Sequence, residues 1–161
     1  MREIRVVGDP VLRTPAEPVT DFDRELRRLI EEMFQAMYTV NGVGLAGPQI
    51  GVSRRLFVYD INKRKGHVIN PILTVDDPEE IVDEEGCLSV PDRQTRLPIY
   101  APVARASGVT VEGFDRLQRP VRIKARGSLA RCFQHETEHL DGKLYVDRLP
   151  KNEARKIVLK A

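Results

Sequence analysis

The first strongly patterned stretch of the chain predicts an amphipathic helix that begins just after residue 20. Its apolar residues recur three or four positions apart, a spacing that places side chains on one face of a helix. These residues are Leu26, Leu29, Ile30, Met33, Phe34 and Met37. Thr20, Asp21 and Asp23 precede them and offer caps and negative charge for the helix N-terminus. The Met and Phe positions on this face predict packing against a core.

Shorter apolar runs farther along the chain predict the strands of a small sheet. The runs lie at residues 56–59, within 67–75, within 103–111 and at 121–124, where β-branched residues alternate with polar ones. Residues 41–49 hold three glycines and one proline and predict irregular backbone. The acidic residues 76–80 predict a solvated turn between two strands.

A second helix is predicted after Gly127, with Ser128 as its N-cap and Asp141-Gly142 as its end. Leu129, Phe133 and Leu140 provide its buried face. A last short helix is predicted over residues 152–159. Together these segments predict a small sheet accompanied by helices.

Length and charge exclude several classes of protein. The chain has 161 residues, of which 41% are hydrophobic and 31% charged, so it is expected to fold as one globular domain over residues 1–161. Its 26 Lys and Arg against 24 Asp and Glu leave a formal charge of only +2, which disfavours nucleic-acid and membrane binding. With no apolar block at its start, it is expected in the cytoplasm.

The most informative motif lies in the second predicted helix. His135-Glu136-Thr137-Glu138-His139 is an H-E-x-x-H sequence, in which two imidazoles four residues apart reach one ion from the same helix face. Glu136 stands beside that face as a candidate general base. The remaining histidine, His67, is expected to be a core or surface residue.

A hydrolytic metal site needs a third protein ligand and one open position. The metzincin continuation of the motif fails, because Tyr145 stands where its third histidine belongs. Cysteine remains. Cys132 precedes His135 by three residues, which places its short side chain about 4.5 Å back along the helix axis, whereas Cys87 comes from a separate segment. The spacing therefore favours Cys87 over Cys132.

Three separated segments resemble the three motifs of the peptide deformylase family: residues 42–49 (GVGLAGPQ), 85–89 (EGCLS) and 134–140 (QHETEHL). The resemblance covers nearly the whole chain and implies the α+β deformylase fold, with small mixed or antiparallel sheets around a central metal-binding helix. It also implies one divalent metal ion held by Cys87, His135 and His139. The ion is expected to be Fe(II) natively, and Zn, Ni or Co can replace it, a set that suits thiolate and imidazole ligands.

The family removes the formyl group from the N-terminal methionine of nascent polypeptides and releases formate. By the resemblance, Glu136 is the general base, and the side-chain amide of Gln49 and the backbone N–H of Leu88 stabilise the oxyanion. Val43, Gly44 and Leu45 are expected beside the peptide, and Cys132 in the wall of the methionine pocket. The expected partners are formyl-Met nascent peptides, with ribosome association left open, and the expected state is a monomer.

Three features depart from the family pattern. The segment from Pro91 to Val103 is longer than usual, which leaves open the substrate preference beyond the formyl-methionine. Gly47 replaces an alanine that is usual in the first motif, which is expected to add backbone freedom with a small effect. Glu138 replaces a usual aspartate, and with Glu85 and Arg105 it is expected to form an ion network that steadies the ligand helix. Two alternatives stay open: a peptidase of H-E-x-x-H type, and a ribosome-associated module whose metal centre is purely structural.

Overall fold

The N-terminal part of the protein contains the helix predicted from the apolar pattern. In the computed structural model, which describes residues 2–161, α1 spans Arg24–Thr39. Asp23 is its N-cap, and the Asp23 carboxylate accepts a hydrogen bond of 2.9 Å from the Leu26 N–H. All six predicted apolar positions are buried, so this helix is confirmed. It packs on one face of the sheet, with Leu45, Leu56 and Val58 in the same cluster.

The strands form one antiparallel sheet of five, in the order β1-β2-β3-β4-β5. Their bounds are β1 Gly44–Ala46, β2 Leu56–Ile61, β3 Arg64–Glu85, β4 Ala101–Phe114 and β5 Pro120–Arg126. The α+β class is therefore confirmed, and the sheet is wholly antiparallel. Each strand pairs with the next along the chain, which is the topology that short connections favour.

The acidic segment 76–80 lies within a strand, so the predicted turn is wrong. β3 runs without interruption through the apolar run within 67–75 and the acidic residues that follow it. Its register with β4 shifts between Val75 and Asp77 and again between Asp77 and Glu80. Pro78 has no N–H to donate to the sheet. Such bulges allow it to lie in this part of the strand, which is exposed on both faces.

The glycine-rich segment 41–49 is more regular than predicted. It contains the three-residue strand β1 and the start of a 3-10 helix over Gly47–Ile50. Gly51 ends this turn in the left-handed conformation, at φ +79°. The prediction of irregular backbone is thus wrong for its second half, and the short turn fixes the position of Gln49.

The second helix, α2, spans Gly127–Leu140 and packs against the sheet. The Phe133 ring lies 5.7 Å from the Phe57 ring and 5.0 Å from the Tyr59 ring, measured between centroids. The N-cap is Arg126, and Ser128 already lies inside the helix, so the capping role predicted for Ser128 is wrong.

Two short elements close the chain. A 3-10 helix covers Tyr145–Arg148, and α3 spans Lys151–Lys160. The predicted last helix is confirmed and is longer by one residue at each end. Among the described residues, no helix combines the length and apolar character needed to cross a membrane.

Candidate metal centre

Three donor atoms from two parts of the chain meet beneath the sheet. The Nε2 atoms of His135 and His139 lie 3.2 Å apart on one face of α2, and the Sγ of Cys87 lies 3.3 Å from His139 Nε2. Cys87 follows the end of β3, so it approaches the helix from the side. All three residues are buried, and their donor atoms lie within 4.8 Å of one another. This placement agrees with the choice of Cys87 over Cys132.

The spacing of these atoms fits a single tetrahedral ion. Bonds of about 2.0–2.3 Å at tetrahedral angles separate neighbouring donor atoms by roughly 3.4–3.6 Å, close to the separations of 3.2 and 3.3 Å found here. One thiolate and two imidazoles form a donor set suited to Fe, Zn, Ni or Co rather than to Mg or Ca. The residues therefore fit a divalent transition-metal ion, held by the Cys/His/His triad.

Glu85 sets the orientation of the first histidine. The Nδ1 atom of His135 lies 2.7 Å from Glu85 Oε2, so the proton belongs on Nδ1 and the Nε2 lone pair faces the other donors. Burial raises the pKa of Glu85, but hydrogen bonds from His135 and Arg105 outweigh burial and hold that pKa well below its usual range. Glu85 is therefore an ionised acceptor at neutral pH.

The predicted ion network around Glu85, Arg105 and Glu138 is present. Arg105 is 1% exposed and donates to Glu85 from Nε (3.1 Å) and Nη2 (2.6 Å). Its Nη1 donates to Glu138 Oε1, which also accepts from Arg148 Nε at 2.6 Å. The longer Glu138 side chain thus joins two guanidinium groups and connects the ligand helix to the 3-10 helix over Tyr145–Arg148.

Glu136 lies beside the triad as a buried carboxylate. Its Oε1 has no hydrogen-bond partner among the described residues. Burial raises the pKa of this carboxyl to about 7, and a cation bound beside it would lower that value. A Cβ at Gly44 would lie 2.6 Å from Glu136 Oε2, so β1 approaches the carboxylate as closely as a glycine allows.

The amide of Gln49 is held from two directions. Its Oε1 accepts a 3.0 Å hydrogen bond from the Ala46 N–H, and its Nε2 donates to Ser89 Oγ at 3.1 Å. The same Nε2 lies 3.6 Å from Cys87 Sγ. The amide nitrogen of Gln49 is thus held beside the triad, between Ser89 and the Cys87 sulfur.

A cavity of about 470 Å³ opens above these groups. Eight of the ten predicted site residues line it: Val43, Gly44, Gln49, Cys87, Leu88, Cys132, His135 and Glu136. His139 is buried behind them. The Leu45 side chain is the exception, because it packs in the core with α1 and is absent from the cavity wall. Only the Leu45 main chain is left for a contact with substrate.

The remaining candidates take different positions. Cys132 lies in the cavity wall outside the donor cluster, and burial raises the pKa of its thiol well above the usual value. His67 lies on β3, where its Nε2 accepts a 2.9 Å hydrogen bond from the Arg116 N–H. The prediction that His67 is structural agrees with this contact.

Sequence reasoning missed two side chains that contact the site. Ser89, fully buried, holds Gln49, and Arg131 donates to Glu85. Ser89 lies within the second motif, and Arg131 stands four residues before His135, on the same helix face. The second motif could have indicated Ser89, and the helical spacing could have indicated Arg131.

Comparisons with known proteins agree with this geometry. The polypeptide deformylase family profile matches residues 1–155. A peptide deformylase of Acidothermus cellulolyticus is 50% identical over 161 residues, which cover all of this chain and 85% of the relative. The crystal structure of a peptide deformylase from Legionella pneumophila superposes with a TM-score of 0.91 at 44% identity, covering 99% of this chain and 92% of that one.

A second solved structure is the peptide deformylase from Synechococcus elongatus in complex with actinonin. Its TM-score is 0.89 at 39% identity, and the match covers 99% of this chain and 85% of that chain. Both structural matches span nearly the whole of this chain. With its Cys/His/His triad, the chain belongs to the peptide deformylase family.

Proposed function

We propose that this deformylase uses Glu136 as its general base beside a divalent ion held by Cys87, His135 and His139. The observation that carries the proposal is the convergence of three donor atoms next to a buried carboxylate at the floor of one cavity. The reaction hydrolyses the N-formyl group of formyl-methionine at the start of a nascent polypeptide. Its products are formate and a free amino terminus.

When bound, a divalent ion polarises a carbonyl oxygen and lowers the pKa of a water molecule. Glu136 accepts a proton from the attacking water and delivers it to the leaving amine nitrogen. Glu136 Oε1 has no hydrogen-bond partner among the described residues, so this oxygen is free to accept the proton.

Charge develops on the formyl oxygen during attack and needs fixed donors. The proposed donors are the Gln49 Nε2, held by Ser89, and the backbone N–H of Leu88. Donors fixed before the reaction cost no reorganisation in the transition state. The peptide main chain is proposed to lie along Val43 and Gly44, with the methionine side chain against Cys132.

The ligands limit the ion to a few transition metals, and the resemblance to the deformylase family favours Fe(II) among them. Thiolate with two imidazoles accepts Fe(II), Zn, Ni and Co, and we propose Fe(II) as the ion bound in the cell. We further propose that residues 1–161 act as one domain, as a monomer in the cytoplasm. Sedimentation would test the monomer, and ribosome pelleting would test the ribosome association that the sequence left open.

The test is formate release from formyl-Met-Ala-Ser by purified protein and by Glu136→Ala. Loss of formate release with metal retained is expected, since the variant keeps all three ligands. Full activity in Glu136→Ala would refute the proposed base. Cys87→Ala should purify without metal and Cys132→Ala should retain it; the opposite pattern would reject the ligand set.

A further inference from the structure

Arg131 connects three separate elements beside the triad. It lies one helical turn before His135 on α2, with its side chain 15% exposed at the cavity wall. Its Nη1 donates to Glu85 Oε1 at 2.9 Å and to the Val103 carbonyl at 2.8 Å. Its Nη2 donates to the Ile81 carbonyl at 2.8 Å. The guanidinium thus joins α2 to both long strands, β3 and β4.

The hydrogen bond from Arg131 gives the Glu85 carboxylate its fourth donor. Glu85 Oε1 accepts from Arg131 and from Arg105 Nε, and Glu85 Oε2 accepts from Arg105 Nη2 and from His135 Nδ1. Each oxygen therefore has two donors, which is its full capacity as an acceptor. Without Arg131, Oε1 keeps one donor and the carboxylate gains freedom to rotate.

We infer that Arg131 is a positioning residue for the metal centre: it fixes the Glu85 carboxylate, and through Glu85 it fixes the ring of His135. The inference rests on the proposed metal site. It separates Arg131 from Arg105, which is buried and also holds Glu138, so that its loss would disturb the fold as a whole. Arg131 stands at the cavity edge with its side chain 15% exposed, so its replacement is expected to disturb the core less than that of Arg105.

The test compares Arg131→Met with Arg131→Lys and measures Zn²⁺ affinity by competition with a chromophoric chelator. Arg131→Met keeps the length of the aliphatic chain and removes all three hydrogen bonds. Its Zn²⁺ affinity is expected to fall about tenfold, the lower end of the range for a partner of a ligating histidine. Arg131→Lys keeps the positive charge and one of the hydrogen-bond donors. Its Zn²⁺ affinity should therefore lie between that of Arg131→Met and that of the parent protein.

Arg122→Met is the matched control. Arg122 pairs with Glu112 on the exposed face of β5, with Nε and Oε1 3.6 Å apart, and it does not line the cavity. Its Zn²⁺ affinity should equal that of the parent protein. The visible spectrum of the Co²⁺ form adds a second readout, because a reoriented His135 ring changes the ligand field and a general loss of stability does not.

Zn²⁺ affinity within twofold of the parent in Arg131→Met, together with an unchanged Co²⁺ spectrum, would overturn the inference. A raised KM with unchanged affinity would also overturn it, since Arg131 would then act on substrate directly. If Arg131→Met fails to fold, the Zn²⁺ affinities of Arg131→Lys and Arg131→Gln are measured instead. Affinities equal to that of the parent protein in both variants would overturn the inference. A parent protein that binds no metal through Cys87 would instead refute the proposed function.

Discussion

The Nε2 of Gln49 lies 3.1 Å from the Oγ of Ser89, which joins the first sequence motif to the second. The amide orientation is fixed by its other end, because Gln49 Oε1 accepts from the Ala46 N–H at 3.0 Å. A flipped amide would set its NH2 group against the Ala46 N–H and lose that bond. The Gln49 N–H donor is therefore held in place before substrate arrives, within a turn that is itself buried.

Replacing the two partners separately should distinguish the donor from its support. Gln49→Ala removes a donor to the oxyanion and should lower kcat about 10²- to 10³-fold. Ser89→Ala removes one neutral hydrogen bond worth about 1 kcal/mol, so kcat should fall only about fivefold. Steady-state formate release from formyl-Met-Ala-Ser gives both values. Equal losses would show that Ser89 does more than hold the amide.

Gly44→Ala should place a methyl group against the proposed base. The added Cβ would lie 2.6 Å from Glu136 Oε2 and 2.9 Å from Cys132 Sγ, closer than atoms of folded proteins approach. We expect a loss of kcat together with a loss of stability of about 1–3 kcal/mol, the usual cost of overpacking. Formate assays and urea unfolding measure the two effects.

A double-variant cycle locates the conflict at Gly44. In the Glu136→Ala background the nearest atom is gone, so Gly44→Ala should cost less stability than it does in the parent protein. If the stability losses of the two single variants simply add in the double variant, strand β1 moves away from α2 as a whole. The prediction would then be wrong about where the methyl group acts.

The spacing of side chains in the sequence predicted the helices and two of the three donor residues. His135 and His139 share a helix face because four residues make about one turn, and this follows from geometry alone. Cys87 lies 48 positions before His135, and no periodicity connects segments that far apart. Its selection needed an argument against Cys132, whose side chain lies back along the helix axis.

The outer half of β3 shows where the pattern of hydrophobic residues gives no signal. Glu79, Glu80 and Val82 are all exposed, so neither face of the strand is marked by apolar residues. Hydrogen bonds to β4 hold this segment in the sheet. Alternating apolar and polar residues mark a strand that buries one face. This hairpin arm is exposed on both faces, so its sequence has no such alternation.

Gly47→Ala tests the reason for the unusual glycine in the first motif. The sequence suggested added backbone freedom, yet Gly47 does not adopt a positive φ. A Cβ there would lie 2.6 Å from the Arg54 carbonyl oxygen and 2.9 Å from that of Val52. Because both atoms belong to the backbone, the turn that holds Gln49 must shift.

We therefore expect Gly47→Ala to lower the free energy of unfolding by about 1–3 kcal/mol. The kcat should fall as well, since Gln49 lies two residues farther along the same 3-10 helix. Urea unfolding and formate release measure the two quantities. Unchanged values for both would show that residues 52–54 withdraw without cost, and that backbone freedom was the better explanation.

His67 predicts a specific pH dependence of stability. Burial lowers its pKa, and the positive charge of Arg116 lowers it further. The unfolded chain, with a histidine pKa of about 6.5, therefore takes up this proton before the folded chain does. As pH falls below about 6.5, unfolding is favoured, and the contribution of His67 to stability is lost.

His67→Gln removes the titration while it keeps an acceptor for the Arg116 N–H. Urea unfolding of both proteins at about pH 7.5, 6.5 and 5.5 should show the parent losing more stability than the variant below pH 6.5. The difference should stay under the limit of about 1.4 kcal/mol per pH unit for one proton, because His67 is half-buried and solvent screens its charge. His135 and His139 titrate in both proteins and cancel in the comparison. Parallel curves would mean that His67 binds its proton equally well in the folded chain, and that its bond to Arg116 does not select the neutral ring.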